Sequence, residues 1–238
     1  MRLSGMLMSL PLIACSAGNA ESGEAAEARG KGPSRSFEAT GFSGVELRGG
    51  DDVDVRVGPA FSVRAQGPSE ELDKLEIVRD GDMLRVGRKR GFNWGESESV
   101  KVFVTMPRIA AASVAGSGDM VVDRVEGERF SGAIAGSGNL SLASIAVKDA
   151  ELSIAGSGDL TGAGRAARLE MNIAGSGDID ARQLTADRAE VSIAGSGNAR
   201  AQVNGPAEVD IVGSGDVDLG SGARCDVSKM GSGEVRCG

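Results

Sequence analysis

The chain has 238 residues, a formal net charge of −8 at neutral pH, 37 glycines, one tryptophan and neither histidine nor tyrosine. Lack of histidine removes the commonest general base, the usual zinc ligand and the usual nucleophilic triads. The acidic balance disfavours a nucleic-acid partner. These absences point to a protein that is not an enzyme, with no cofactor, no catalytic residue and no bound metal.

Residues 1–14 read as a lipoprotein signal peptide. Arg2 precedes an apolar run from Leu3 to Ala14, too short to persist as a membrane-spanning helix. The run ends in Leu12-Ile13-Ala14-Cys15, which resembles the bacterial lipobox. By that resemblance, cleavage before Cys15 leaves a lipid-modified cysteine at the new N-terminus. Ordinary signal-peptidase cleavage near Ala17 or Ala20 is the rival, since small residues stand there too. Ser16 after the cysteine, by analogy with known sorting, leans towards the outer membrane. Residues 15–36 are rich in Ala, Gly, Glu and Ser, with too little apolar content for a core, and are expected to form a flexible tether.

Residues 37–108 carry strands without an obvious repeat. Val53, Val55 and Val57 alternate with charged residues, as do Phe61, Val63 and Ala65, Leu84 with Val86, and Val100 with Val102 and Val104. Gly49-Gly50-Asp51 and Asp80-Gly81-Asp82 mark turns between them. This region is expected to be either the first rungs of the body that follows or a β cap over its edge. The segment Arg88-Lys89-Arg90-Gly91-Phe92-Asn93-Trp94 joins three positive charges to the only tryptophan. Arg88, Lys89, Arg90, Phe92 and Trp94 are therefore candidate binding residues for a sugar acid, a membrane surface or a stacked base. The alternative is a solvated hairpin tip with its aromatics folded back.

Residues 109–238 contain Gly-Ser-Gly in nearly the same setting seven times, centred on Ser117, Ser137, Ser157, Ser176, Ser196, Ser214 and Ser232, at intervals of 20, 20, 19, 20, 18 and 18 residues. With each central serine at position zero, positions −7, −5 and −3 are usually apolar, as in Ala150, Leu152 and Ile154 or Ala207, Val209 and Ile211. Positions +3 and +5 are apolar or small, as in Leu140 and Leu142. Such alternation is the period of a strand with one buried face, so each unit reads as strand, tight turn, strand. An antiparallel meander and a stacked solenoid both use such units. The solenoid explains more, because it makes identical residues neighbours and confines length variation to the connection after +5. The expected fold is all-β: a single-stranded parallel β-helix with 18–20 residues per repeat. The serines are structural turns rather than nucleophiles, since the same setting recurs seven times.

Position −6 is acidic in Glu151, Glu170, Glu190, Glu208 and Asp226, while −8 holds Arg129, Arg168, Arg188 and Arg224. Stacked carboxylates repel. A row of Ca²⁺ would relieve them, but ion pairs between −8 and −6 across rungs are the simpler expectation. The Asp or Asn at +2 is expected to bond turn amides locally. Cys225 and Cys237 fall at −7 and +5 of the last unit, both inward, where Lys229 replaces the −3 isoleucine. A disulfide stapling the terminal rung suits an exported protein; two buried thiols are the alternative.

The ordered set Phe42-Ser43-Gly44-Val45, Asp80-Gly81-Asp82-Met83-Leu84, Val104-Thr105-Met106-Pro107 and the repeated Ala-Gly-Ser-Gly-Asp/Asn resembles the bacterial autotransporter-adhesin head GIN domain family, over about residues 37–236. The resemblance implies a right-handed β-helix without catalytic residues, with a role in cell adhesion. The first functional expectation is a lipid-anchored protein of the bacterial cell envelope that adheres or binds at a surface. Its partners would be the membrane, through the anchor, and a cell-surface or polysaccharide ligand. The alternatives are a self-associating structural module without a specific ligand and, remotely, a polysaccharide-active enzyme.

Overall fold

The computed structural model describes residues 23–89 and 100–238. The lipidation candidate Cys15 and the loop residues Arg90, Phe92 and Trp94 lie outside them.

The described residues begin with three short strands, β1 (Glu24–Ala25), β2 (Ala28–Arg29) and β3 (Ser34–Phe37). Expectation and structure part here, because residues 23–36 are not a free tether. Ala26 donates its amide to the Ile77 carbonyl at 2.8 Å, and Phe37 is buried. Backbone pairing, rather than apolar content, holds this segment to the body.

Next come β4 (Gly44–Gly49) and β5 (Asp52–Val57), then β6 (Ser62–Gln66), α1 (Ser69–Lys74), β7 (Leu75–Asp80), β8 (Met83–Arg88) and β9 (Lys101–Met106). Their spatial order differs from their chain order. β8 runs parallel to β4, and β9 parallel to β5, so β8 and β9 lie outside β4 and β5 as two sides of a further rung. β7 and β6 then pair antiparallel with β8 and β9, and β1 and β3 pair antiparallel with β7 and β6. The region thus supplies both rungs and cap: β4–β5 and β8–β9 are rungs, and the antiparallel strands close the edge they would otherwise expose. The reversal from β7 to β8 is made at Gly81-Asp82, where Gly81 has φ +56°, a left-handed conformation suited to a tight hairpin.

The repeats follow as β10 (Ala111–Gly116), β11 (Met120–Val122), β12 (Val125–Gly136), β13 (Leu140–Gly156), β14 (Leu160–Gly175), β15 (Ile179–Gly195), β16 (Ala199–Val203), β17 (Pro206–Gly213), β18 (Val217–Asp218), β19 (Arg224–Gly231) and β20 (Val235–Arg236). All stack in parallel, and β10 and β11 lie directly on β4 and β5. The fold is a β-solenoid.

Each complete coil has three sides. In the coil after Ser137, burial alternates over Leu140 and Leu142, then Ile145 and Val147, then Ala150, Leu152 and Ile154. Pairs of outward residues, Ala143-Ser144 and Lys148-Asp149, break the alternation at the bends. The stretch after +5, expected as mere connection, therefore forms the third side in this coil. Length variation is absorbed at the bends: register slips between Leu142 and Ile145, between Thr161 and Ala163, and between Ala181 and Thr185, and one further residue enters between Val203 and Ala207.

The core is a set of aliphatic columns running along the stack. Ile134, Ile154, Ile173, Ile193 and Ile211 form one, all nearly inaccessible to water. Each such side chain contributes roughly 1.5–3 kcal/mol on burial, but only while a coil lies on either side of it.

Candidate functional site

The third corner of each coil is the Gly-Ser-Gly turn. At five of these seven corners the two amides after the first glycine both donate to one carbonyl of the coil beneath, as Ser157 N and Gly158 N reach Gly136 O at 2.9 and 3.2 Å; at Ser214 and Ser232 the serine amide alone does so. Gly156 has φ +140°, and a Cβ there would lie 2.2 Å from Gly136 O; at Gly158 it would lie 1.9 Å from Gly138 O. Glycine is required because successive turns approach through bare backbone. Ser117, Ser137, Ser157, Ser176, Ser196, Ser214 and Ser232 thus mark one column of corners, and Ser232 Oγ bonds Ser214 Oγ at 3.1 Å.

Beside the corners runs a polar ladder. The +2 side chain accepts from the +2 backbone amide of the next coil, not from its own turn. Asp52 accepts from Asp119 N, Asp119 from Asn139 N, Asn139 from Asp159 N and Asp159 from Asp178 N. Asp178 accepts from Asn198 N, Asn198 from Asp216 N and Asp216 from Glu234 N, at 2.8–3.0 Å. Asn139 and Asn198 also donate their Nδ2 to Asp119 and Asp178, at 2.8 and 2.9 Å. Parallel register places each side chain directly under the next amide, which a local turn does not. Asp52 was not singled out from sequence, although Gly49-Gly50-Asp51-Asp52 matches Gly116-Ser117-Gly118-Asp119 position for position.

On the face leading to the corner, like residues stack on like. Glu151, Glu170, Glu190, Glu208 and Asp226 are in register. Among the described residues no ion pair joins this column to Arg168, Arg188 or Arg224. Position −8 lies at a bend, as Asp149 does, whereas −6 lies on the flat face beyond it, and Glu170 accepts from Asn172 Nδ2 on that face at 2.9 Å. Arg129 pairs with Asp149 of the next coil at 3.7 Å, which links −8 to −8. Among the described residues no group of three His, Cys, Asp or Glu side chains is placed to hold a metal ion.

Arg88 does not face outward. Its Nε and Nη2 donate to Asp51 at 2.9 and 2.6 Å, and its Nη1 reaches Glu71. Asp51 occupies the place of the second glycine in the corner and is fully buried, and it also accepts from Val100 N at 2.9 Å. Lys74 completes the cluster through Glu71 at 2.7 Å. The Lys74 and Arg88 hydrogen bonds hold the Glu71 carboxyl below the usual range, and Asp51 raises the Arg88 guanidinium above its ordinary value. Arg88 is thus a structural residue that seals the core end. Lys89 Nζ donates to the Asp73 carbonyl at 2.7 Å. Sequence alone did not flag Asp51 or Glu71, whose partner lies far along the chain.

A groove of about 500 Å³ opens between β1, β7, β8 and the first corners, lined by Ala25, Arg48, Val78, Gly87, Ala115 and Gly116 among others. Arg85 at its edge is committed to Glu46 and Asp80, at 3.1 and 2.7 Å. At the far end Cys225 and Cys237 form a disulfide, with Cα atoms 6.1 Å apart.

A body of parallel coils stacked through glycine corners defines a β-solenoid. The chain belongs to the family described as "putative auto-transporter adhesin, head GIN domain", whose model matches residues 41–236. No curated protein matches it. Among solved structures it is similar to a "putative adhesin" from Bacteroides fragilis (TM-score 0.77, 18% identity, covering 86% of this chain and 95% of that one). It is similar also to a "putative lipid binding protein" from Parabacteroides distasonis (TM-score 0.70, 22% identity, 88% and 98% covered). A third is a "putative adhesin" from Parabacteroides merdae (TM-score 0.66, 16% identity, 87% and 96% covered). At these identities the likeness shows the shared fold.

Proposed function

We propose that this chain is a non-catalytic lipoprotein of the bacterial cell envelope, anchored in the outer membrane through Cys15, whose solenoid body serves adhesion or surface binding. The observation that carries this reading is family membership over residues 41–236, nearly the whole described body. The geometry agrees with it. Acids and bases are spread as columns along outer faces rather than gathered around one reacting position, an arrangement suited to many weak, repeated contacts with an extended partner such as a surface polysaccharide. Arg88 leaves the set of binding candidates, because its guanidinium serves Asp51 and Glu71.

Fractionation of cells expressing Cys15→Ala tests the anchor. The variant is expected in the soluble fraction, with the wild type in membranes; a variant retained in membranes like the wild type would overturn the lipid-anchor assignment.

A further inference from the structure

At the Cys237 end the solenoid shows an edge that could take another strand. β19 pairs with β17 on one side, and no described strand lies on its other side. Its residues from Arg224 to Gly231 are exposed, Cys225 alone being half-buried. Val227 is 43% exposed and Met230 74%, and Met230 lies in register with Val212, itself 59% exposed. An edge of this length with apolar neighbours is a template for a strand of another chain. The strand that fits best is β19 of a second copy, which offers the same open edge and would meet this one tail to tail about a two-fold axis, since the first rungs are covered by antiparallel strands.

One residue breaks the template. The isoleucine column of Ile134, Ile154, Ile173, Ile193 and Ile211 ends in Lys229, which lies directly on Ile211. Lys229 bends across the open end to donate its Nζ to Gly233 O at 2.8 Å. The Cys225–Cys237 disulfide ties the two walls of the same coil together beside it. A second copy laid on β19 would have to bury this ammonium against its own core positions, at a cost that pairing of one strand does not offset.

We propose that Lys229 is an end stop that keeps the molecule from stacking end-on with a second copy. The device is independent of which ligand the side faces take, and it opposes a self-associating role.

The test is sedimentation of the purified full chain and its variants in detergent, with circular dichroism to report the β fold. The wild type and Lys229→Arg are expected to be monomeric. Lys229→Ile, which completes the isoleucine column, is expected to raise the weight-average mass by up to about twofold in a concentration-dependent way. Adding Val227→Lys in the Lys229→Ile background should restore the monomer, which separates edge pairing from aggregation of misfolded chain. A monomeric Lys229→Ile would overturn the proposal. So would a wild type that already stacks, or an associated Lys229→Ile that Val227→Lys fails to rescue.

Discussion

Single residues in this protein are constrained by the coil below as much as by their own neighbours. Gly156 shows it most sharply: its φ of +140° and the 2.2 Å approach of a notional Cβ to Gly136 O leave no room for a side chain. Gly156→Ala is expected to cost at least about 2 kcal/mol, combining backbone strain with a forced shift between coils, and a denaturant titration measures it. The ladder at +2 makes a second, gentler prediction. Asn139→Asp loses the Nδ2 bond to Asp119 and sets five carboxylates in a row, Asp52, Asp119, the new acid, Asp159 and Asp178. A loss of about 1 kcal/mol is expected at low salt, shrinking at high salt as screening shortens the reach of the repulsion. Urea midpoints at two ionic strengths would show it.

Among elements, the opening rungs carry the largest departure from chain order. The alternation of Val53, Val55 and Val57 was readable as a strand, and so was that of Val100, Val102 and Val104. Their adjacency was not, because β6, α1, β7 and β8 intervene and the swap is made by pairing rather than by local pattern. The inward positions of the repeat were legible because apolar side chains recur at fixed offsets. The third side was not, since Ala146, Lys148 and Gly164 blur the alternation there. Like-on-like stacking of Glu151, Glu170 and Glu190 was legible from their constant −6 position, but the lack of ion pairs from them to the −8 arginines was not, because charge pairing depends on side-chain geometry that spacing alone does not supply.

The cluster that plugs this end yields two predictions. Arg88→Met strands the Asp51 carboxylate, which is fully buried, and should cost about 3–5 kcal/mol; adding Asp51→Asn should recover a substantial part, as thermal melts of the single and double variants would reveal. Glu71, held below the usual carboxyl range by Lys74 and Arg88, contributes stability that is present above its unfolded value of about 4.3. That contribution is lost as the pH falls through its lower folded value. Glu71→Gln should therefore be less stable than the wild type at neutral pH, with the gap closing on acidification.

Taken whole, the molecule is a stack whose two ends are closed by different means: antiparallel strands and an ion cluster at one, a disulfide and a lysine at the other. Reduction of Cys225–Cys237, or replacement of both by serine, removes a cross-link over a separation of 12 residues. Loop-closure entropy puts its worth at about 3 kcal/mol. Because coils are held by their neighbours, faster hydrogen exchange should be confined to the coil from β18 to β20, leaving β12 to β14 protected. A body closed at both ends leaves its side faces for contact, and the proposed adhesive role requires those faces to meet the outside of the cell. Labelling of live cells with an antibody against the solenoid body tests this most directly. Intact cells should bind the antibody about as well as permeabilised ones; labelling that appears only after permeabilisation would contradict adhesion to an external partner.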